Sequence, residues 1–342
     1  MRGIRWHRLL ALVLFAAFCA SGVQAAKQRI KLTTLAPKGS SYHRALQRMG
    51  QAWSAATDGQ VELIIYAGGI QGGEAAMVER MRINQAQAGL LTATGLEEIE
   101  SSVSGLQNMP MVFRSLDEVD YVGEKLRPKL ERRMREEGFV VLAWVDTGWV
   151  RFFSTRPVVK VDDLKKLKLF TWAGDTKTAD IMIKAGLKPV PLETADILTG
   201  LQTGLIDAVP LPPFFALASQ IYRPAPHMLD LEWAPLVGAL VVTERAWKKT
   251  PEAARAAMLE AAVKAGEEIK SAGRSEAASS IETMKTKWGL KVQTVDSATE
   301  AGWRRAAEAA YPTIRGGIVP EAMFDEVFEL LEAYRAEREA AP

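Results

Sequence analysis

The 342-residue sequence holds three histidines and one cysteine, and their placement limits what chemistry it can do. They are His7, His43, His227 and Cys19. A zinc site needs His, Cys or carboxylate ligands brought together, and no HExxH or paired His/Cys spacing occurs. No G-x-S-x-G elbow is present to expose a nucleophilic serine. The glycine-rich run YAGGIQGGEAAM (66–77) lacks the G-K-[ST] of a phosphate loop and does not fit G-x-G-x-x-G. It reads as a turn with close backbone packing. His43 reads either as a general base or as a hydrogen-bonding side chain. Acids are scattered along helices, as solvated faces have them. The expectation is a protein that is not an enzyme and has neither cofactor nor metal.

What remains is binding, by residues at the ends of strands. QRIKLTTLA (28–36), QVELIIYAGG (60–69) and QAGLLTATG (87–95) read as strands separated by amphipathic helices, which implies a mostly parallel sheet covered by helices. Ser115 opens a further helix with Glu118 three residues on, a capping-box spacing. FVVLAWVD (139–146) reads as a buried strand. From about residue 150 the same rhythm repeats on a smaller scale, through VRFFST, KLFTW, KPVPL and LIDAVPLPP. VGALVVTERAW (237–247) reads as a strand returning to the first unit. A helix starting at Thr250-Pro251-Glu252 and running to about Trp288 would be roughly 50 Å long, enough to brace two lobes, although Gly266 and Gly273 allow a bend. The last helix, about 320–339, has an apolar stripe of Met323, Phe324, Val327, Leu330, Leu331 and Tyr334.

In open α/β sheets, ligands sit beyond the carboxyl ends of strands. That selects Thr94 and Gly95 with the adjoining Leu96, Trp149, the pair Phe170 and Trp172, and Leu211. Tyr42, His43, Phe214 and Trp233 lie beside such ends. Phe170 and Trp172 are two apart on one strand, so they share a face. That face is either a cleft wall or the core of its own lobe.

The first 26 residues read as an export signal. Arg2, Arg5 and Arg8 precede the apolar run LLALVLFAAFCA and small residues before a cut near Ala26. The run is shorter than the ~20 residues of a spanning helix, and bulky Phe18 before Cys19 argues against a lipid-anchored cysteine. Cleavage moves the formal charge from +2 to about −1, which excludes a basic nucleic-acid binder, and removes the cysteine. The expected product is a periplasmic protein of roughly 316 residues.

Several stretches, in this order and spacing, resemble the extracytoplasmic solute receptors of TRAP transporters, the DctP family. They are TLAPKGSSYHRA, GGIQGGEAAMVERMRINQAQAGLLTATGL, GFVVLAWVDTGWVRFFSTRPV, DDLKKLKL and LQTGLIDAV, spanning about residues 28–335. The resemblance implies an α/β, two-lobed periplasmic binding protein with mixed sheets, a hinge and a long interdomain helix. The expected division is a signal peptide at 1–26, lobe I from 27–148 plus about 234–266, and lobe II with bracing helices from 149–233 plus about 267–342. The implied role is capture of a solute between the lobes and delivery to a small and a large integral membrane subunit. A lipid-shuttling protein whose partner is another periplasmic protein, such as a helical-repeat protein, is an alternative.

This sequence departs from the family where the ligand carboxylate is bound. A family arginine follows a segment like DLKGLKIR, and DLKKLKLF puts Phe170 in its place. A family Glu-Asn pair follows a turn like VVDGQENP, and LIDAVPLP puts Pro210 and Leu211 there. A further family arginine is kept as Arg151, which would hold a polar head group or form an ion pair with an acid such as Asp146. An ionised carboxylate without such partners is costly to bury, whereas each buried methylene is worth roughly 0.8 kcal/mol. The expected solute is therefore hydrophobic or amphipathic, against a wall of Trp149, Phe170, Trp172, Leu211, Phe214 and Trp233. The alternative is an organic acid anchored by Arg151.

Overall fold

The computed structural model describes residues 27–340; the expected export signal and Cys19 lie outside them. Two sheets organise the chain. The first has the order β2-β1-β3-β10-β4. Strands β1 (Gln28–Thr34), β2 (Val61–Tyr66) and β3 (Ala88–Thr92) are parallel, joined by helices α1 (Ser41–Ala56) and α2 (Glu74–Arg82). Strand β10 (Pro235–Thr243) runs antiparallel between β3 and β4 (Phe139–Trp149), so the sheet is mixed. Short α3 (Ala93–Leu96) and long α4 (Leu116–Glu136) complete lobe I. Ser115 caps α4 by accepting from the Glu118 N–H at 3.2 Å. The reciprocal half of the expected box is replaced: Glu118 is bound by Arg335 Nε and Nη2 at 2.8 and 2.9 Å and accepts from the Arg114 N–H.

The second sheet has the order β11-β9-β5-β8-β6-β7. It holds β5 (Arg151–Ser154), β6 (Lys168–Trp172), β7 (Lys188–Leu192), β8 (Ala208–Leu211), β9 (His227–Asp230) and β11 (Lys291–Thr294). Helices α5 (Val161–Leu164), α6 (Thr176–Lys184), α7 (Ile197–Gln202) and α8 (Pro213–Ala218) connect these strands. Short α9 (Glu244–Lys249) then leads from β10 to α10 (Arg255–Trp288), an unbroken helix of 34 residues, about 51 Å at 1.5 Å per residue. It packs on α1 and β4 of lobe I and on α8 of lobe II.

The glycines of α10 serve close approach rather than a bend. A Cβ on Gly266 would lie 2.6 Å from Ala143 Cβ, and one on Gly273 would lie 2.6 Å from the Thr147 Cα. Beside them Arg274 makes two hydrogen bonds to Asp146 (2.9 and 2.7 Å) and two to Asp120 (2.9 and 2.7 Å), fastening the helix to lobe I. Asp146 is thus the partner of Arg274, not of Arg151. Helix α11 (Ser297–Ile314) packs on lobe II through Trp303 and Ala307. The last helix, α12 (Glu321–Glu339), lies on lobe I, where Met323, Phe324, Val327 and Leu331 join the core around α4. This differs from its expected place among the lobe II helices. Its apolar stripe was legible, but a stripe does not name the surface that covers it.

Candidate functional site

A crevice of about 330 Å³, mouth included, lies where the lobes meet. Lobe I contributes Gly73, Glu74 and Ala75 at the start of α2, with Thr94 and Glu98 after β3. Lobe II contributes Trp172 at the end of β6, Ala173, Gly174 and Asp175 just after it, and Glu193 after β7. All these segments follow the carboxyl ends of parallel strands, as expected for an α/β site.

The lining is acidic. Glu74 is buried and takes hydrogen bonds from the Thr92 N–H (2.6 Å), the Thr92 hydroxyl (2.5 Å) and the Gly95 N–H (3.0 Å). Burial raises its pKa, and those three donors offset part of the rise. Glu97, beside the crevice, accepts from Asn108 Nδ2 at 3.1 Å. Burial, reinforced by the negative charges of Asp175 and Glu98, pushes its carboxyl up to about 8, with Lys177 offsetting part. The Glu193 carboxylate rests against Gly73, so close that a Cβ there would push it aside.

Sheet register explains which expected residues reach this end of lobe II. Arg151 on β5 is paired with Leu211 on β8. Leu169 on β6 is paired with Ala208, so three residues on, Trp172 stands level with Leu211, and it is paired with Leu192 on β7. Arg151, Leu211, Trp172 and Leu192 therefore form one row across the sheet end. Trp172 is half-buried and packs against the cores of both lobes. Leu211 is buried behind it in the lobe II core.

Phe170 corrects the expectation of a cleft wall. It is 2 % exposed and packs with Phe153, Ile197 and Val209 inside lobe II. Trp172 meets it edge-on at 5.0 Å. The two do share a face, but that face is core under Phe170 and emerges into the crevice only at Trp172. Trp233 is likewise held elsewhere, edge-on to Phe152 (5.4 Å) and Trp303 (5.9 Å) in the second lobe II cluster.

Arg151 is occupied. Its Nε lies 3.0 Å from Asp230 and its Nη2 3.5 Å from Glu232, with the side chain 14 % exposed. Among the other expected residues, Thr94 lines the crevice, Gly95 donates its N–H to Glu74, and Leu96 is core. Trp149 is half-buried against lobe I, at the register of Pro235. Tyr42 and Phe214 meet across the lobes with ring centroids 4.7 Å apart, and burial raises the Tyr42 pKa. The His43 Nδ1 accepts from the Gly39 N–H at 3.2 Å, and burial lowers its pKa, so it serves the turn before α1 as a neutral ring. Among the described residues no three His, Cys, Asp or Glu side chains gather closely enough to hold a metal.

Sequence reasoning missed Glu74, Glu97, Glu98, Asp175 and Glu193. The available signal was their position, each within a few residues of a strand end or of the GGE turn.

The chain is similar to known proteins over most of its length. A solute-binding protein of Roseobacter denitrificans is 24 % identical over 263 residues, 76 % of this chain and 79 % of that protein. The 2,3-diketo-L-gulonate-binding periplasmic protein of Escherichia coli is 29 % identical over 202 residues, 56 % of this chain and 58 % of that one. Among solved structures, a TRAP periplasmic solute-binding protein from R. denitrificans with bound L-galactonate superposes with a TM-score of 0.80 at 21 % identity, covering 89 % of this chain and 99 % of that one. One from Fusobacterium nucleatum with bound sn-glycerol-3-phosphate gives 0.81 at 18 % identity, covering 91 % and 99 %. At these identities the superpositions establish the two-lobed fold. The family model for bacterial extracellular solute-binding proteins, family 7, matches residues 32–315, and the chain belongs to that family, DctP, whose members bind solutes and are not enzymes.

Proposed function

We propose that this protein is the periplasmic receptor of a TRAP-type uptake system, exported by its N-terminal signal, and that it delivers its solute to the membrane subunits of that system. We propose further that the solute is amphipathic and carries no free carboxylate. Its apolar face would rest on Trp172, and its polar end, neutral or cationic, would point to the acids around it. The observation that carries this reading is the charge of the crevice: Glu98, Asp175 and Glu193 line it, and the Arg151 cation is held by Asp230 and Glu232. A carboxylate entering there would lose water and meet like charges at short range, each contact costing on the order of 1 kcal/mol even when well screened.

A second reading has its own support. Arg151 Nε and Nη1 are buried without a hydrogen-bond partner of good geometry, and the related structures hold L-galactonate and sn-glycerol-3-phosphate. In that reading Arg151 turns from Asp230 to an incoming acid. Calorimetric titration separates the two. A panel of a C4-dicarboxylate, a sugar acid, and neutral and amine-bearing amphiphiles of similar size is run against the wild type and Arg151→Ala. Binding confined to the amphiphiles and retained in Arg151→Ala supports the first reading. Micromolar binding of an acid, lost in Arg151→Ala, refutes it.

A further inference from the structure

Lobe I carries a second cavity with the opposite electrostatic character. It occupies about 510 Å³, open mouth included, between the outer face of β1 and β2 and the flank of α2. Lys31, Thr33, Tyr66, Gln71, Arg80 and Gln85 line it, and no aspartate or glutamate does. The interlobe crevice also touches α2, but at its first turn; Arg80 stands six residues further on, about 9 Å along the axis. The two cavities share no lining residue.

Three observations fix the chemistry. Among the described residues neither cation is paired with a carboxylate. Arg80 donates from Nε to the Gln71 carbonyl and from Nη1 to Gln85 Oε1, each at 3.0 Å, which orients the guanidinium through neutral partners and leaves its charge uncompensated. The nearest acid on the same strand face, Glu62, is engaged by Lys27 and Arg29 at 3.3 and 3.5 Å. At the floor, Thr33 is fully buried and its hydroxyl has no hydrogen-bond partner. A buried hydroxyl is normally paired, so an orphan facing a cavity marks a missing acceptor. From these we infer that the cavity binds a small oxyanion of the phosphate or carboxylate type. The anion takes charge-assisted hydrogen bonds from Lys31 and Arg80 and a neutral one from Thr33.

The test is titration of the mature protein with inorganic phosphate at constant ionic strength, with chloride as control, followed by backbone amide NMR. Saturable shifts clustered at Lys31, Thr33, Tyr66, Gln71 and Gln85 are expected. Lys31→Met and Arg80→Met should each weaken binding at least tenfold, and Thr33→Val several-fold. Lys177→Met, beside the interlobe crevice, should change nothing, so failure here is distinct from failure of the proposed function. Sedimentation with phosphatidylglycerol vesicles runs in parallel. Vesicle binding that phosphate competes away makes a lipid phosphate the source of the anion, whereas phosphate binding alone makes it a soluble one. No phosphate effect beyond the chloride control, or shifts centred elsewhere in the wild type, overturns the inference even if a variant fails to fold.

Discussion

Glu97→Gln is the most discriminating perturbation of the crevice. The glutamate accepts from Asn108 through a carboxyl oxygen, a role a glutamine carbonyl can fill at the same length, so the substitution removes only the charge. Burial and the charges of Asp175 and Glu98 lift its pKa from 4.5 to about 8. A raised carboxyl pKa means that the folded protein holds a proton the unfolded chain has released. Stability from this group is therefore complete below pH 4.5, falls as pH rises through the window up to about 8, and is level above it. At 1.36 kcal/mol per pH unit, the full window has a ceiling of about 5 kcal/mol. Glu98 is exposed and Asp175 is only half-buried, so solvent screens both charges. The working figure between pH 5 and 8 is therefore about 1–2 kcal/mol. For a chain of this size that is a shift in Tm of roughly 2–4 °C. The assay is thermal unfolding of wild type and Glu97→Gln from pH 5 to 8.5, with small-angle scattering at the two ends. The variant should gain on the wild type steadily as pH rises, and only the wild type should expand. A Tm difference that is flat across this range would refute the reasoning.

Other consequences are open to measurement. Gly73 has an ordinary φ of −69°, so Gly73→Ala leaves the backbone unstrained and acts only through its methyl against the Glu193 carboxylate, which can turn aside; solute affinity should fall by no more than a few-fold, and adding Glu193→Ala should restore it, whereas a larger loss would show that the carboxylate is held in place. Arg274→Met takes the bidentate partner from buried Asp146, leaving it Lys270 at 3.8 Å and the Gly148 N–H, and should cost about 3 kcal/mol in denaturant unfolding; no loss would mean that those two contacts satisfy Asp146 without the guanidinium. Phe170→Arg puts a charge in the lobe II core and should abolish the cooperative transition seen by circular dichroism; a folded variant that binds anions would return Phe170 to the cleft. Trp172→Ala should remove solute binding while leaving Tm within a few degrees; retained binding would show that its ring is not the platform.

Much of the architecture was legible in the sequence. The alternation of apolar strands and amphipathic helices announced two α/β units, and VGALVVTERAW announced the return of β10 because its apolar run could only be a covered strand. Thr250, the expected cap of the long helix, instead ends α9, and the helix begins at Arg255; only the helix's length was legible. Its glycines were not: Gly266 and Gly273 look alike whether they loosen a helix or let a strand come close, and only the Ala143 and Thr147 contacts distinguish the two. The period of two put Phe170 and Trp172 on one face. Where that face turns from core to crevice depends on register with β8, which no local pattern carries. The acids stayed hidden for a similar reason. Glu97 and Asp175 lie in different lobes and look like ordinary surface carboxylates until the lobes come together.

The place of β10 in its sheet governs how the molecule can come into being. It lies between β3 and β4, yet it is synthesised after most of the other domain, and Val140 must wait for Val242. An N-terminal fragment ending at the first crossing has an open seam in the middle of its sheet, and the other sheet lacks its final edge until Lys291–Thr294 has emerged. Such long-range pairing delays folding and leaves strand edges uncovered meanwhile. The growing chain thus stays unlatched until it is nearly finished, the state in which a polypeptide can still be threaded through a narrow pore.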